Sequence, residues 1–371
     1  MGENKDKIIG SDILRCAAML FVVTYHIWSL GCMPQIDFPV AQRFIMLGGE
    51  IGVTLFFVLS GFGIYFSLSN MQKRNGRISP IEFFKKRCIR ILPHYYVHLF
   101  LLFTIGTGVG YISREHWKEV LAHLFFVHNF MGYQTINLVL WTIEITLQFY
   151  LVAIPLFYFL KKLPRFFLPI TIGVTIVIKR YIYIIWMMEN QGNGFQLGRA
   201  TVIFTVLDNF AIGMFVAWVI EKRKGIEPKK GKIISTVLLV ILLNFVCKLG
   251  QTYGIHTNNW SGYSFHSLLA LNIGLILYVF SRIKWKKDST IVKLICFGAK
   301  YEYGIYLYHL VFIENYLLRC GAIMELQNRG WYFVSYVILA VLSIALGSLM
   351  NILVDAGVNR LSCRKKSNAL L

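Results

Sequence analysis

Apolar segments of about 20 residues recur along the whole chain, and they restrict its fold more than any other feature. A helix of that length can cross a hydrocarbon core about 30 Å thick while satisfying its own backbone hydrogen bonds. Only 15% of the residues are charged, against about 25% in soluble domains. The sequence therefore predicts an all-α, polytopic membrane protein in which residues 1–371 form one membrane domain. It has about ten transmembrane helices, at about 8–30, 48–70, 92–112, 137–160, 166–188, 202–221, 233–250, 263–281, 294–318 and 331–353.

The positively charged residues indicate how these spans are oriented. If the N-terminus is cytoplasmic, 27 of the 38 Lys and Arg residues fall in cytoplasmic segments and six in outer segments. Cytoplasmic loops of membrane proteins carry such an excess. We therefore expect both termini in the cytoplasm and a multi-pass location in the plasma (inner) membrane. The net charge of +20 then reflects topology and contact with membrane lipids, and nucleic acid is not an expected partner.

The apolar segment 118–133 is too short for a span, and we interpret it as interfacial or re-entrant. If it were a full span, every later loop would lie on the wrong side of the membrane.

The first predicted span contains Arg15 and His26, which lie eleven residues apart. That spacing places both on one helix face, about 16 Å apart along the axis, with His26 nearer the outside. Taken singly, Arg15 could snorkel to the inner interface and His26 could be a hydrogen-bonded structural residue. Ionisable groups inside a span are costly, so their shared face favours a function.

The pair Arg87 and Arg90 precedes the predicted third span, and its spacing places both residues on one helix face just beneath the membrane. Two guanidinium groups suit phosphate because each can donate paired hydrogen bonds. The alternative interpretation is an ordinary cytoplasmic anchor.

Other polar residues inside predicted spans fall at two depths. At 1.5 Å per residue, Glu144 and His309 join His26 in the outer half, whereas Lys300 joins the three arginines in the inner half. An anion site inside and proton-transfer groups outside would suit transfer of a group from a phosphorylated donor to an outer acceptor. Lys179 and Arg180 lie mid-span, and their role stays open.

These residues and motifs resemble acyltransferase family 3, the membrane-bound O-acyltransferases that modify bacterial surface sugars. The resemblance extends over nearly the whole chain, and its ten-span layout agrees with the charge count. The elements that carry it are an acid, a cation and a histidine in the first span, an FFxxSG pattern, an RxxR pair and a tyrosine-rich stretch ending in histidine: Asp12, Arg15 and His26; Phe56, Phe57, Ser60 and Gly61; Arg87 and Arg90; Tyr303, Tyr306 and His309. The Ser60–Gly61 step is also typical of close helix packing.

One motif departs from the family pattern. Many members carry two adjacent acids in the fourth span, where this chain has Thr146 and Leu147. Glu144 stands two residues early, about 200° around the helix, which leaves its catalytic role open.

The resemblance implies a stand-alone O-acyltransferase that uses cytoplasmic acyl-CoA, most readily acetyl-CoA, as a co-substrate and a glycan or glycolipid as the acceptor. No permanently bound cofactor or metal is expected, and the seven cysteines show no CxxC spacing. Arg15, Arg87, Arg90 and Lys300 would bind the donor. His26 would act as general base or carry the acyl group, with His309 and Glu144 as further catalytic candidates.

The alternative from another class is a transporter in which intramembrane His and Arg residues form a proton or anion pathway. Transporters often show related halves and paired broken helices, and neither is visible in the sequence.

The charge distribution generates a prediction about topology. Reporters fused after Lys232 and after Lys287 should read cytoplasmic, and a reporter after Asn258 should read external, because that arrangement keeps the basic loops inside. Paired fusions to a phosphatase and to a fluorescent protein report on which side of the membrane each fusion point lies. An external reading after Lys287 would show that the span count is wrong by one.

Overall fold

The computed structural model describes residues 2–30, 45–105, 116–131, 135–190, 203–223, 260–283, 288–320 and 329–368, together with a few isolated positions between these ranges. The regular elements in these ranges are helical. They are α1 (Gly2–Leu30), α2 (Gly48–Asn75), α3 (Pro80–Ile105), α4 (Trp117–Leu124), α5 (Leu140–Lys162), α6 (Pro164–Asn190), a 3₁₀ turn (Ile203–Thr205), α7 (Leu207–Lys222), α8 (Trp260–Phe280), α9 (Thr290–Lys300), α10 (Glu302–Cys320) and α11 (Arg329–Asn368).

Five of the described helices are long and apolar enough to cross a membrane. Their candidate spans are Ile9–Leu30, Gly48–Asn75, Pro80–Ile105, Leu140–Lys162 and Val334–Arg360. The predicted fifth, sixth and eighth spans correspond to α6, α7 and α8, of which α7 has 16 residues. The predicted seventh span, 233–250, lies almost wholly outside the described residues.

Helix α2 lies at the centre of the bundle and packs against α1, α5, α7 and α8. Two glycines allow α2 and α7 to approach closely. A Cβ atom added at Gly61 would lie 2.0 Å from the carbonyl oxygen of Phe210, and one at Gly213 would lie 1.9 Å from that of Val58. Such small residues let helix backbones meet within a membrane.

Helix α3 begins twelve residues before the predicted third span, because Pro80 suits the first helical position and Ser79 accepts a hydrogen bond from the backbone N–H of Glu82. Arg87 and Arg90 therefore belong to a continuous helix, which also contains Pro93, and not to the end of a loop.

The predicted ninth span is two helices in the structure. Helix α9 ends at Lys300 and α10 begins at Glu302. At the junction, the N–H of Tyr301 donates to the carbonyl of Gly298 at 3.1 Å, which closes a tight turn at the end of α9. The Lys300 ammonium lies 4.9 Å from the centre of the Tyr301 ring. Lys300 thus ends one helix, and the tyrosine-rich stretch belongs to the next.

The α2–α7 contact predicts the effect of Gly61→Ala. The added methyl group would overlap the Phe210 carbonyl, so we expect a loss of stability on the order of 1–3 kcal/mol, measured as a lower melting temperature in detergent. Gly173→Ala is the matched control, because a Cβ atom there meets nothing within 4 Å. Equal melting temperatures for the two variants would contradict the close contact between α2 and α7 at Gly61.

Candidate active site

A cavity of about 340 Å³ lies between α1, α2, α3, α5 and α10. We call it the basic cavity because three arginines from two helices, Arg15, Arg87 and Arg90, line it. The other lining side chains on which its chemistry depends are Phe56, Phe57, Ser60, Thr142, Tyr150, Glu302, Tyr303 and Tyr306. The cavity therefore brings together residues of the first-span, FFxxSG, RxxR and tyrosine-rich motifs.

Arg15 is held by two carboxylates. Its guanidinium lies 3.5 Å from Asp12, one turn earlier on α1, and 3.7 Å from Glu302 at the start of α10. These contacts orient the planar group toward the cavity and connect α1 to α10. Glu302 was not predicted as a site residue, although its signal was present as an acid inside a predicted span.

Arg87 is half-buried against aromatic rings. Its guanidinium lies 5.5 Å from the ring centre of Phe83 and 5.8 Å from that of Tyr150. Cation–π contacts of this kind fix the plane of the guanidinium without using its N–H donors. Arg90 lies one turn later, is exposed, and lines the same cavity. Lys300, predicted with these residues, is exposed and is not part of the cavity lining.

His26 and His309 form a buried pair. Nδ1 of His26 lies 2.8 Å from Nε2 of His309, and the ring centres are 5.0 Å apart. The second nitrogen of His309, Nδ1, lies 2.6 Å from the carbonyl oxygen of Tyr306 and 3.2 Å from that of Ile305. Two of the predicted catalytic residues, which the sequence separates by 283 positions, thus meet in one hydrogen bond.

The surroundings of His309 determine which nitrogen carries each proton when both rings are neutral. Carbonyl oxygens only accept hydrogen bonds, so Nδ1 of His309 must donate and Nε2 must accept. Nδ1 of His26 is then the donor within the pair, and Nε2 of His26 is left with the free lone pair. This is the tautomer that a general base requires.

Tyr306 connects the basic cavity to the histidine pair. Its ring lies 5.0 Å from that of Phe56 and 6.0 Å from that of His309, and its hydroxyl lies 2.6 Å from Oγ1 of Thr142. Tyr306 therefore lies between the basic cavity and the histidine pair, with its ring packed against that of Phe56.

Glu144 lies in a separate buried cluster. Its carboxylate touches Nδ1 of His128, and the hydroxyl of Tyr95 donates to it at 3.4 Å. The structure does not bring Glu144 to the histidine pair. The same cluster includes His123, whose ring stacks on that of His128 at 4.1 Å.

The His123, His128 and Glu144 cluster has the geometry of a metal site, with the possible ligand atoms within 4.8 Å of one another. Burial lowers the pKa of His123 to about 3, so the ring is neutral. Its Nδ1 donates to the carbonyl of Glu119 at 2.8 Å, and its Nε2 accepts from the N–H of Ile136 at 3.2 Å. A metal ion would have to displace the Ile136 hydrogen bond.

The remaining predicted motif residues have structural positions around the cavity. The hydroxyl of Tyr303 donates to the carbonyl of Ile91 at 3.2 Å, which connects α10 to α3. Gly61 faces α7, as described above. Sequence reasoning also missed His98, which is fully buried with its ring centre 5.6 Å from that of Tyr308.

Comparison with known proteins identifies the family. Residues 8–349 match the family described as the acyltransferase domain. A protein of Acidianus two-tailed virus, provisionally named an acetyltransferase, is 25% identical over 85% of each chain. The peptidoglycan O-acetyltransferase of Listeria monocytogenes is 26% identical over 61% of this chain and 36% of its own. A protein of Staphylococcus aureus, provisionally named an O-acetyltransferase, is 25% identical over 83% and 51%.

The chain thus spans about half or less of the length of the two bacterial relatives. No solved structure matches it significantly.

Proposed function

The chain belongs to the acyltransferase family, and we propose that it transfers an acetyl group from cytoplasmic acetyl-CoA to a hydroxyl of a cell-surface or lipid-linked glycan. The observation that carries this proposal is the adjacency of the basic cavity to the histidine pair across Tyr306. The names of the relatives support an O-acetyltransferase, and the Listeria protein is named for peptidoglycan.

The basic cavity suits the phosphates of coenzyme A. Arg15, Arg87 and Arg90 offer guanidinium groups that pair with phosphate oxygens in a fork geometry, and two of the three are oriented by ion pairs or aromatic rings. With the donor head group held there, its thioester end would extend past the packed rings of Phe56 and Tyr306 toward His26. Arg15 and His26 are about 16 Å apart along the same face of α1, so the donor would lie along that face.

The histidine pair would then perform the proton transfer. As the acceptor oxygen attacks the thioester carbonyl carbon, Nε2 of His26 takes the hydroxyl proton. The resulting imidazolium keeps its Nδ1–H bonded to Nε2 of His309, which stabilises the positive charge and holds the ring in place. The C–S bond breaks, and the leaving thiolate takes the proton back from His26, so the enzyme is restored.

The membrane arrangement follows from the same proposal. We infer ten spans with both termini in the cytoplasm, which places the arginines near the cytoplasmic acetyl-CoA pool and His26 in the outer half of the membrane. The protein would lie in the cell membrane, with the acceptor arriving from the outer side.

Donor binding is tested by replacing Arg87 and Arg90 together. The double Ala variant should raise the KM for acetyl-CoA about tenfold or more, because charge-assisted hydrogen bonds to phosphate are lost. The double Lys variant should recover only part of the affinity, since an ammonium group lacks the fork. Lys85→Ala is the control, because it removes a cation from the same helix at an exposed position outside the cavity. Wild-type donor affinity in both double variants would show that the pair is only an anchor.

The role of His26 is tested by His26→Ala and His26→Gln. Both should lose about 10²-fold or more in kcat, because neither side chain takes a proton at neutral pH. Binding of acetyl-CoA, measured by calorimetry, should persist, since Arg15 lies about 16 Å from His26 along α1 and His26 does not line the basic cavity.

The control for His26 is His94→Gln, which changes a buried histidine that contacts Asp355 at 3.2 Å on another helix. Near-normal turnover by the His26→Gln protein would show that His26 is not the general base, and His309 would then be the candidate for that role.

A further inference from the structure

Two histidines and a carboxylate are buried together outside the basic cavity. They are His123 near the end of α4, His128 shortly after α4, and Glu144 early in α5. All three side chains are fully buried, and none of them lines the basic cavity. One nitrogen of each histidine and one carboxylate oxygen of Glu144 lie within 4.8 Å of one another. We call this group the His–Glu cluster, and the proposed acetyl transfer makes no use of it.

A tight turn after α4 brings the two histidines of the cluster together. The N–H of Phe126 donates to the carbonyl of His123 at 3.2 Å, and the N–H of Val127 donates to that of Ala122 at 2.9 Å. Phe126 has a φ of 59°, a left-handed conformation that a bulky residue seldom adopts. The turn places the ring of His128 on that of His123, with ring centres 4.1 Å apart.

The hydrogen bonds of His123 prepare it as a metal ligand. Its Nδ1 donates to the carbonyl of Glu119 at 2.8 Å. Metal-binding histidines commonly donate one ring N–H to a backbone carbonyl, because that bond fixes the ring and leaves the lone pair on the other nitrogen. Here the other nitrogen, Nε2, accepts one hydrogen bond, from the N–H of Ile136 at 3.2 Å. A metal–imidazole bond would replace that single hydrogen bond.

His128 and Glu144 satisfy each other only in part. Nδ1 of His128 touches Oε1 of Glu144. Nε2 of His128 and Oε2 of Glu144 are buried, and neither makes a hydrogen bond within the described part of the chain. A proton between the two touching atoms leaves the other two without partners, and such buried polar atoms cost stability. A bound cation would instead accept lone pairs from the imidazole and the carboxylate and would offset the buried negative charge.

The chemistry of these ligands selects the kind of cation. Imidazole nitrogen and carboxylate oxygen are ligands of Zn²⁺, whereas Mg²⁺ and Ca²⁺ prefer sites made of oxygen atoms alone. Ligand atoms at about 2.0–2.2 Å from a tetrahedral Zn²⁺ ion lie about 3.5 Å from one another. The separations in the His–Glu cluster are compatible with one ion after small side-chain rotations. The missing CxxC spacing does not argue against this site, because the site contains no cysteine.

On these grounds we propose that His123, His128 and Glu144 bind a divalent transition-metal ion, for which Zn²⁺ is the best match. The ion would fasten the segment after α4 to α5. The hydroxyl of Tyr95 on α3 lies 2.8 Å from the carbonyl of His123 and 3.4 Å from the carboxylate of Glu144, so three helices meet at the site. This inference does not rest on the proposed function, since none of its ligands takes part in the proposed transfer.

The test measures metal bound to the full-length protein, purified in lipid nanodiscs after removal of any affinity tag. Mass spectrometry of the elements gives the metal content of each sample. Chelator-treated protein is then titrated with ZnCl₂ by calorimetry, and its melting temperature is measured with and without Zn²⁺. The cluster variants are His128→Gln and Glu144→Gln. His116→Gln is the matched control, because it removes a half-exposed histidine one residue before α4, outside the cluster.

We expect about one metal ion per chain in the wild type and in His116→Gln, and less than about a tenth of that in either cluster variant. Zn²⁺ should raise the melting temperature of the chelator-treated wild type by about 3 °C or more, because it binds only the folded state. It should leave the melting temperatures of the cluster variants unchanged.

The wild-type protein alone can refute the site, whether or not the variants fold. No metal above the buffer level together with no heat on Zn²⁺ titration would overturn it. Binding only at millimolar Zn²⁺ would indicate an adventitious ion only, and would overturn it as well. Full metal content in both cluster variants would show that the ion binds elsewhere on the chain.

Discussion

The hydrogen bond between His26 and His309 is the interaction on which the candidate active site depends. It joins α1 to α10 between two buried side chains, where loss of either partner would leave the other ring nitrogen unsatisfied. Because the backbone carbonyls of Tyr306 and Ile305 occupy the far nitrogen of His309, the pair can be oriented in only one direction when neutral. That direction leaves a free lone pair on Nε2 of His26, which is the chemical requirement for a base.

The charged residues near this pair lie at a different level of the same two helices, α1 and α10. Arg15 lies on the same face of α1 as His26, about three turns closer to the N-terminus. Its ion pair with Glu302 joins the same two helices that the histidines join. The basic cavity and the histidine pair are therefore two ends of one α1–α10 contact, with Tyr306 between them. In the proposed function, this arrangement would give the phosphorylated donor and the proton acceptor fixed positions relative to each other, which lowers the entropic cost of bringing reactants together.

The sequence predicts much of the fold, because apolar segments long enough to span a membrane are almost sufficient by themselves to predict where the helices lie. It predicts His26, His309, Arg15, Arg87 and Arg90 individually, since ionisable residues stand out within apolar segments. The pairing of the two histidines could not be predicted, because residues 283 positions apart meet only through tertiary packing. The break at Tyr301 was missed for a similar reason: Gly298 precedes it, but a single glycine is tolerated inside a helix, and the turn that ends α9 is local. Glu144 illustrates the limit of motif reasoning, since His128, which contacts it, lies in a segment that carries no motif.

The most direct test of the account is a structure of the protein with a non-hydrolysable acetyl-CoA analogue in which a methylene group replaces the thioester sulfur. The account predicts the donor phosphates at Arg15, Arg87 and Arg90, and the donor chain extending past the packed rings of Phe56 and Tyr306. It also predicts the carbonyl carbon within reach of an acceptor oxygen bound to Nε2 of His26. An analogue whose phosphates lie outside the basic cavity, or whose carbonyl ends away from the histidine pair, would contradict it.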